Sequence, residues 1–325
     1  MKKTTLILLS IFIIGFSACK KNKVPEGINF KQEMRDFVQS ISAYAKNINQ
    51  NFIIIPQNGT ELSTKDGTET GAPETTYLNA IDGQGQEDLF YGYDSDDRAT
   101  SSDDTNYLKN FLDTEKNSGV QVMVTDYCST HSKMDDAYAK NNANGYISFS
   151  APERNLNVIP DYPSEPYNVN SNDISTLSDA KNFLYLINTE NYSAKQDFIN
   201  AIVQTDYDLV LIDLFFNDND ALTQDDITAL KTKHNGGKRL VICYMSIGEA
   251  EDYRYYWQSD WNHNKPEWLD KENPNWKGNY KVWYWEKDWQ DIIYGTDNSY
   301  LKKILDAGFD GVYLDIIDAF EYYEQ

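Results

Sequence analysis

Acidic side chains close at least five strand-like runs of this 325-residue chain: Asp82, Asp126, Asp213, Glu249 together with Glu251, and Asp315. Runs that lie side by side in a parallel sheet bring such ends to one edge. Ionised carboxylates gathered there repel one another and raise each other's pKa, a cost that a purely structural sheet has no reason to bear. Glycosidic bond cleavage does have a reason. It needs one protonated carboxyl on the leaving oxygen and one ionised carboxylate opposite the anomeric carbon, and crowding supplies both states at a single pH.

Other polar side chains flank these ends. Arg254, three residues past Glu251, is placed either to hold a carboxylate ionised or to form an ion pair at a rim. Gln57 and Asn58 follow a strand-like run and can donate to sugar hydroxyls, although Asn58-Gly59 is also turn chemistry. Tyr284, between Trp283 and Trp285 in a loop-like insertion, reads as a sugar platform or as core packing. The three histidines, His131, His234 and His263, are scattered and away from strand ends, and no acidic stretch has the spacing of a calcium loop. Neither a phosphate-binding glycine loop nor a serine nucleophile elbow is visible, so neither a metal nor a cofactor is expected.

The elements that must position these residues are read from periodicity. Strand-length apolar runs fall at 52–57, 78–82, 120–126, 145–149, 183–187, 209–213, 240–244 and 311–315. Helical patterns fall between or beside them at 30–46, 106–117, 134–141, 193–203, 224–233 and 300–307, several ending at Gly or Asn stops. Such alternation predicts an α/β fold with a parallel sheet covered by helices, and eight strands suggest a (β/α)8 TIM barrel in a single domain, 29–325. The order is unusual: a helix comes first and a strand last. An eight-stranded ring needs a helix behind every strand, so the N-terminal helix is expected to fill the gap behind the last strand. The stretch 151–182, rich in Pro, Asn and Ser, is longer than a barrel turn requires and reads as a joint.

Composition narrows the partners. With 29 basic against 51 acidic residues the net charge is −22, which excludes nucleic acid and anionic membrane surfaces as natural partners because both need a basic face. A neutral or cationic ligand suits it. Twenty-four Tyr and seven Trp supply flat amphipathic rings of the kind that pack on sugar faces or in a core. Lys2-Lys3, an apolar run to Phe16 and Ser17-Ala18-Cys19 form the pattern of a signal segment over 1–18. The run is too short for a spanning helix. Cys19 after Ser17-Ala18 resembles the bacterial lipobox, which implies diacylation there, an anchored linker over 19–28, and a location on a bacterial membrane facing the periplasm or cell surface. Cys128 and Cys243 sit in or beside apolar strand patterns and read as small core residues rather than a disulfide framework.

The run Tyr244 to Arg254 (YMSIGEAEDYR), with Trp268-Leu269, Glu272-Asn273-Pro274, Trp276, Gly278-Asn279-Tyr280 and the run Gly308 to Asp318 (GFDGVYLDIID), resembles glycoside hydrolase family 114. That family consists of TIM-barrel proteins and includes endo-α-1,4-polygalactosaminidases. Ile55 to Gly59 (IPQNG), Ile81-Asp82-Gly83, Glu87 to Tyr91 (EDLFY) and Val124 to Cys128 (VTDYC) resemble segments that bacterial members carry after the Gly-Phe-Asp-Gly motif. Here they precede it. The swapped order implies a circular permutation, with 151–182 joining what are the two ends of an unpermuted relative.

The resemblance implies one catalytic acid from the Glu-Ala-Glu segment and one from the final strand, hence Glu251 and Asp315, with Glu249 and Asp213 next. Tyr244 and Asp318 join Gln57, Asn58, Asp82, Asp126, Arg254 and Tyr284 as substrate-binding candidates. Fungal members carry Glu where this chain has Tyr313, two positions before Asp315. The implied substrate is an amino-sugar polysaccharide like α-1,4-polygalactosamine. A non-catalytic carbohydrate-binding protein on the same barrel, and a hydrolase of a different linkage, stay open as alternatives.

Overall fold

Runs rich in Ile, Val and Leu are the sequence form of strands buried on both faces, and they are where the sheets of this protein lie. A computed structural model describes residues 24–217 and 220–324; the expected signal segment 1–18 and Cys19 lie outside them. The strands are β1 (Ile53–Pro56), β2 (Gly83–Glu87), β3 (Gln121–Tyr127), β4 (Ile147–Ala151), β5 (Phe183–Tyr185), β6 (Leu209–Ile212), β7 (Leu240–Ser246), β8 (Glu249–Glu251), β9 (Leu269–Glu272), β10 (Asn279–Val282) and β11 (Gly311–Asp315). Five form one parallel sheet in the order β1-β11-β7-β6-β5, and β2-β3-β4 form another. Single parallel bridges pair Gln57 with Gly85 and Ser148 with Asn182, so the end of β1 touches β2 and β4 touches the chain just before β5. The protein is thus α/β with parallel sheets.

Seven of the expected strands and all six expected helices form at or within a few residues of their expected positions. The run 78–82 does not form a strand. Its first residue ends a one-turn helix, α2 (Thr75–Leu78), and the strand begins at Gly83 with the sequence Gly-Gln-Gly-Gln-Glu. No apolar side chain marks it, because neighbours fill the space there: a Cβ on Gly85 would lie 1.9 Å from the Tyr313 hydroxyl, and one on Gly83 2.7 Å from Leu177 Cδ2. Also unforeseen is the antiparallel sheet β8-β10-β9, built from what reads as a loop between β7 and β11.

Helices α3 (Ser102–Asn117), α4 (His131–Asn144), α5 (Lys195–Val203), α6 (Gln224–Leu230), α7 (Lys287–Ile293) and α8 (Tyr300–Ala307) cover the sheets. The first helix, α1 (Phe30–Ile48), is capped by Asn29, whose side chain accepts from Gln32 N at 3.1 Å. It buries Met34, Phe37, Val38, Ile41 and Ala45 at helical spacing, packing against α2, α8 and the final turn α9 (Phe320–Tyr323). Phe30 meets the Tyr323 ring at 5.6 Å, and Lys31 pairs with Glu324. The helix that starts the described chain is therefore clasped to the strand-and-turn that ends it.

The irregular stretch after β4 is pinned rather than loose. Asn170 and Lys233 both bond Asp208, the Lys233–Asp208 pair being fully buried at 2.9 Å. Cys128 and Cys243 are buried free thiols. Among the described residues no helix is long and apolar enough to cross a membrane.

Candidate active site

Parallel strands aim their C-terminal ends the same way, and here those ends surround a cavity of about 580 Å³. Gln57 after β1, Glu87 of β2, Tyr127 of β3, Tyr185 of β5, Asp213 after β6, Tyr244 of β7 and Asp315 of β11 all line it. The turn from β7 into β8 adds Glu249 and Glu251. That turn passes so close to β11 that a Cβ on Gly248 would lie 2.1 Å from the Ile316 carbonyl oxygen, which requires glycine. Glu249 and Glu251 are two apart on β8, and period-two alternation sends both to the same side.

Three charged groups form one buried unit. Glu251 accepts from Arg254 Nε at 2.6 Å and Nη2 at 3.1 Å, and from the Tyr253 hydroxyl at 2.6 Å. The same guanidinium donates to both oxygens of Asp213, at 2.9 and 2.6 Å. Arg254 is only 7% exposed and is paired on both sides, an arrangement that fits an ion pair at the rim as well as a group that holds a carboxylate ionised.

Asp315 stands apart from this unit. Its carboxylate accepts from the Tyr244 hydroxyl at 2.6 Å and the Ile316 amide at 2.8 Å. Burial, and then the negative charge of Glu87, push its carboxyl up to about 7. Asp318 is pushed up to about 8 by burial and by Asp315. Between them Ile316 has φ 59°, a left-handed conformation that a β-branched residue adopts only under constraint from its surroundings.

Glu87 is the residue that sequence reasoning missed. It accepts from the Tyr127 hydroxyl at 2.5 Å and from Asn58 Nδ2 at 3.1 Å, while Asn58 Oδ1 accepts the Glu87 amide at 3.1 Å. Asn58 is thus both a turn residue, with φ 58°, and part of the cavity wall. Gln57 accepts from the Tyr185 hydroxyl at 3.0 Å. The signal for Glu87 was its place at the head of the Glu-Asp-Leu-Phe-Tyr segment, but the polar strand before it was unrecognised. Trp276, 54% exposed, lines the same cavity and was read only as part of a motif.

Three expected site residues lie elsewhere. Asp82 precedes its strand instead of ending it; at that opposite edge it accepts from the Ile54 amide and pairs with Lys46 of α1. Asp126 is on the wrong parity of β3: Tyr127 faces the cavity, while Asp126 accepts from the amides of Phe90 and Tyr91 and from Asn141 of α4. Tyr284 is fully buried and donates to the Phe30 carbonyl at the start of α1, so it is core packing and no platform. Among the described residues no three His, Cys, Asp or Glu side chains meet in a way that would hold a metal ion.

One cavity thus holds convergent carboxyls from several strand ends, Asp315 pushed up by burial and Glu251 ion-paired. Residues 182–325 match the model of glycoside hydrolase family GH114. The match takes in β5 to β11 and with them Asp213, Glu249, Glu251, Arg254 and Asp315. Similar curated proteins are all uncharacterized. One from Methanocaldococcus jannaschii is 40% identical over 48% of this chain and 42% of its own length. One from Thermotoga maritima is 51% identical over 26% of this chain and 25% of its own length, and one from Deinococcus radiodurans is 36% identical over 40% and 39%. The chain thus spans less than half the length of each of these relatives.

Proposed function

We propose that this protein is a glycoside hydrolase that cleaves O-glycosidic bonds of an amino-sugar polysaccharide resembling α-1,4-polygalactosamine. Asp315 is the general acid, delivering its proton to the leaving oxygen. Glu251, ion-paired to Arg254, is the carboxylate that acts as nucleophile or base. Asp213 fixes the guanidinium from the other side, and Glu249 and Asp318 extend the acidic wall. The observation that carries the reading is the contrast within one cavity between Asp315, whose carboxyl holds its proton to about pH 7, and Glu251 in its salt bridge.

The scaffold we propose is a single closed (β/α)8 barrel over 29–325 whose halves are circularly permuted about the joint 151–182. The two parallel bridges between the sheets support closure, and the packing of α1 against α9 supports the permuted order. Lipid attachment at Cys19 and a periplasmic or surface location rest on the N-terminal sequence.

The decisive experiment incubates purified protein with polygalactosamine and a panel of other polysaccharides. Release of oligosaccharides is expected, with Glu251→Gln and Asp315→Asn each lowering kcat on the order of 10²- to 10⁴-fold, the usual contribution of a positioned acid or base. Polymer binding that survives both substitutions, with no release from any substrate by the unsubstituted protein, identifies a non-catalytic carbohydrate binder instead.

A further inference from the structure

A second cavity, of about 280 Å³, adjoins the first, and Glu249, Ile316 and Asp318 line both. That volume is near the lower end for small-molecule sites, about 300 Å³. Its remaining walls come from the turn after β9, from β10 and from the final helical turn, where Asn273, Lys281, Glu321 and Tyr322 face it.

Glu249 is the informative side chain. It is 3% exposed; one of its oxygens accepts from Asn273 Nδ2 at 2.8 Å, the Asn279 side chain also lies close enough to favour its charge, and the other oxygen is buried without a hydrogen bond of normal geometry. A carboxylate oxygen removed from water without a donor is costly, and a ligand that brings a donor removes the cost. Lys281, directly opposite Glu249 in the β8–β10 pair, offsets part of its charge but makes no hydrogen bond to it; its ammonium lies over the Tyr322 ring, 3.3 Å from the centroid. Glu249, Asp318 and Glu321 thus line the cavity with three carboxyls against a single lysine. The carboxyls outnumber the lysine in this lining, so the space favours a positive occupant.

We infer that this second cavity is a saccharide subsite, contiguous with the hydrolytic cleft, that takes a hexosamine unit with its free ammonium against Glu249 and Asp318 and its ring beside Tyr322. The assignment rests on the polysaccharide reading above and adds to it the place where the amine is recognised. An ammonium supplies three donors and a charge to the unpartnered oxygen. An N-acetyl group supplies one donor, no charge, and a carbonyl acceptor facing carboxyls, so acetylated units are disfavoured.

The test titrates the Asp315→Asn protein, which removes turnover, with galactosamine oligomers of increasing length and with their N-acetylated counterparts. In the free-amine series affinity is expected to rise at least tenfold at the length that first reaches the second cavity. Tyr322→Ala abolishes that step, Glu321→Gln weakens it, Tyr322→Phe retains it, and the acetylated series lacks it. Thermal shift of the unsubstituted protein with sulfur-linked galactosamine oligomers, which resist cleavage, reads the same step should Asp315→Asn fold poorly. A step that survives Tyr322→Ala, equal affinity for acetylated oligomers, or no binding of any oligomer overturns the subsite. Oligomers that bind with the expected step to a protein that never shortens them overturn the hydrolase reading and leave the subsite standing.

Discussion

In the proposed mechanism Asp315, as general acid, sets the pH at which the site works. A general acid must be protonated, and a carboxyl raised to about 7 remains so up to neutral pH, so kcat/KM is expected to fall as pH rises through about 7. Burial is the larger cause and remains whatever its neighbours are, whereas the Glu87 charge is removable. Glu87→Gln therefore lowers the Asp315 pKa part of the way toward its ordinary value and moves the alkaline limb to lower pH. A pH–rate profile measures this directly; an unmoved limb means that Asp315 and Glu87 do not interact or that Asp315 is not the acid. Glu87 also shows the limit of reading acids one by one. Its side chain type was visible, but its facing partner Asp315 is 228 positions away along the chain, and only folding places the two charges close enough to couple.

Strand β2 is the element on which the wall of the site depends and the one that periodicity could not find. Hydrophobic patterning detects strands that bury their own side chains, and β2 instead leaves room for Tyr313. The Tyr313 ring meets Tyr185 edge-on at 5.5 Å, and its hydroxyl is buried without a hydrogen-bond partner. Gly85→Ala is expected to destabilise the fold by about 1–3 kcal/mol, the usual cost of forcing atoms into a packed interior, and denaturant unfolding would measure it. An unchanged midpoint would contradict the close approach of Tyr313 to β2. The β8-β10-β9 sheet was hidden for a different reason. Its strands are short, rich in charge and paired with one another rather than with the main sheet, so they carry no core-facing alternation.

At the scale of the whole molecule the excess of acid, −22, acts at a distance. A strongly anionic protein steers a cationic polymer toward itself, and salt screens that steering as the Debye length falls from about 30 Å at 0.01 M to about 8 Å at 0.15 M. The KM for a free-amine polymer is accordingly expected to rise over this range while kcat holds, and the KM for an acetylated polymer to stay flat. Salt sensitivity of equal size for both polymers would sever the link between net charge and substrate. The alternation of strand and helix, the helix-first and strand-last order, the acidic ends of every strand but β2 among those named, and the likeness of the Gly-Glu-Ala-Glu segment were determined by sequence alone, because local propensity and burial periodicity are written in neighbouring residues. Which carboxyls share the cavity was decided by tertiary structure. Asp126 and Tyr127 are adjacent in the chain, yet strand pleating sends one to the helix layer and the other to the site. Asp82 and Glu87 are five residues apart, yet they lie at opposite ends of one strand, where only the second can meet Asp315.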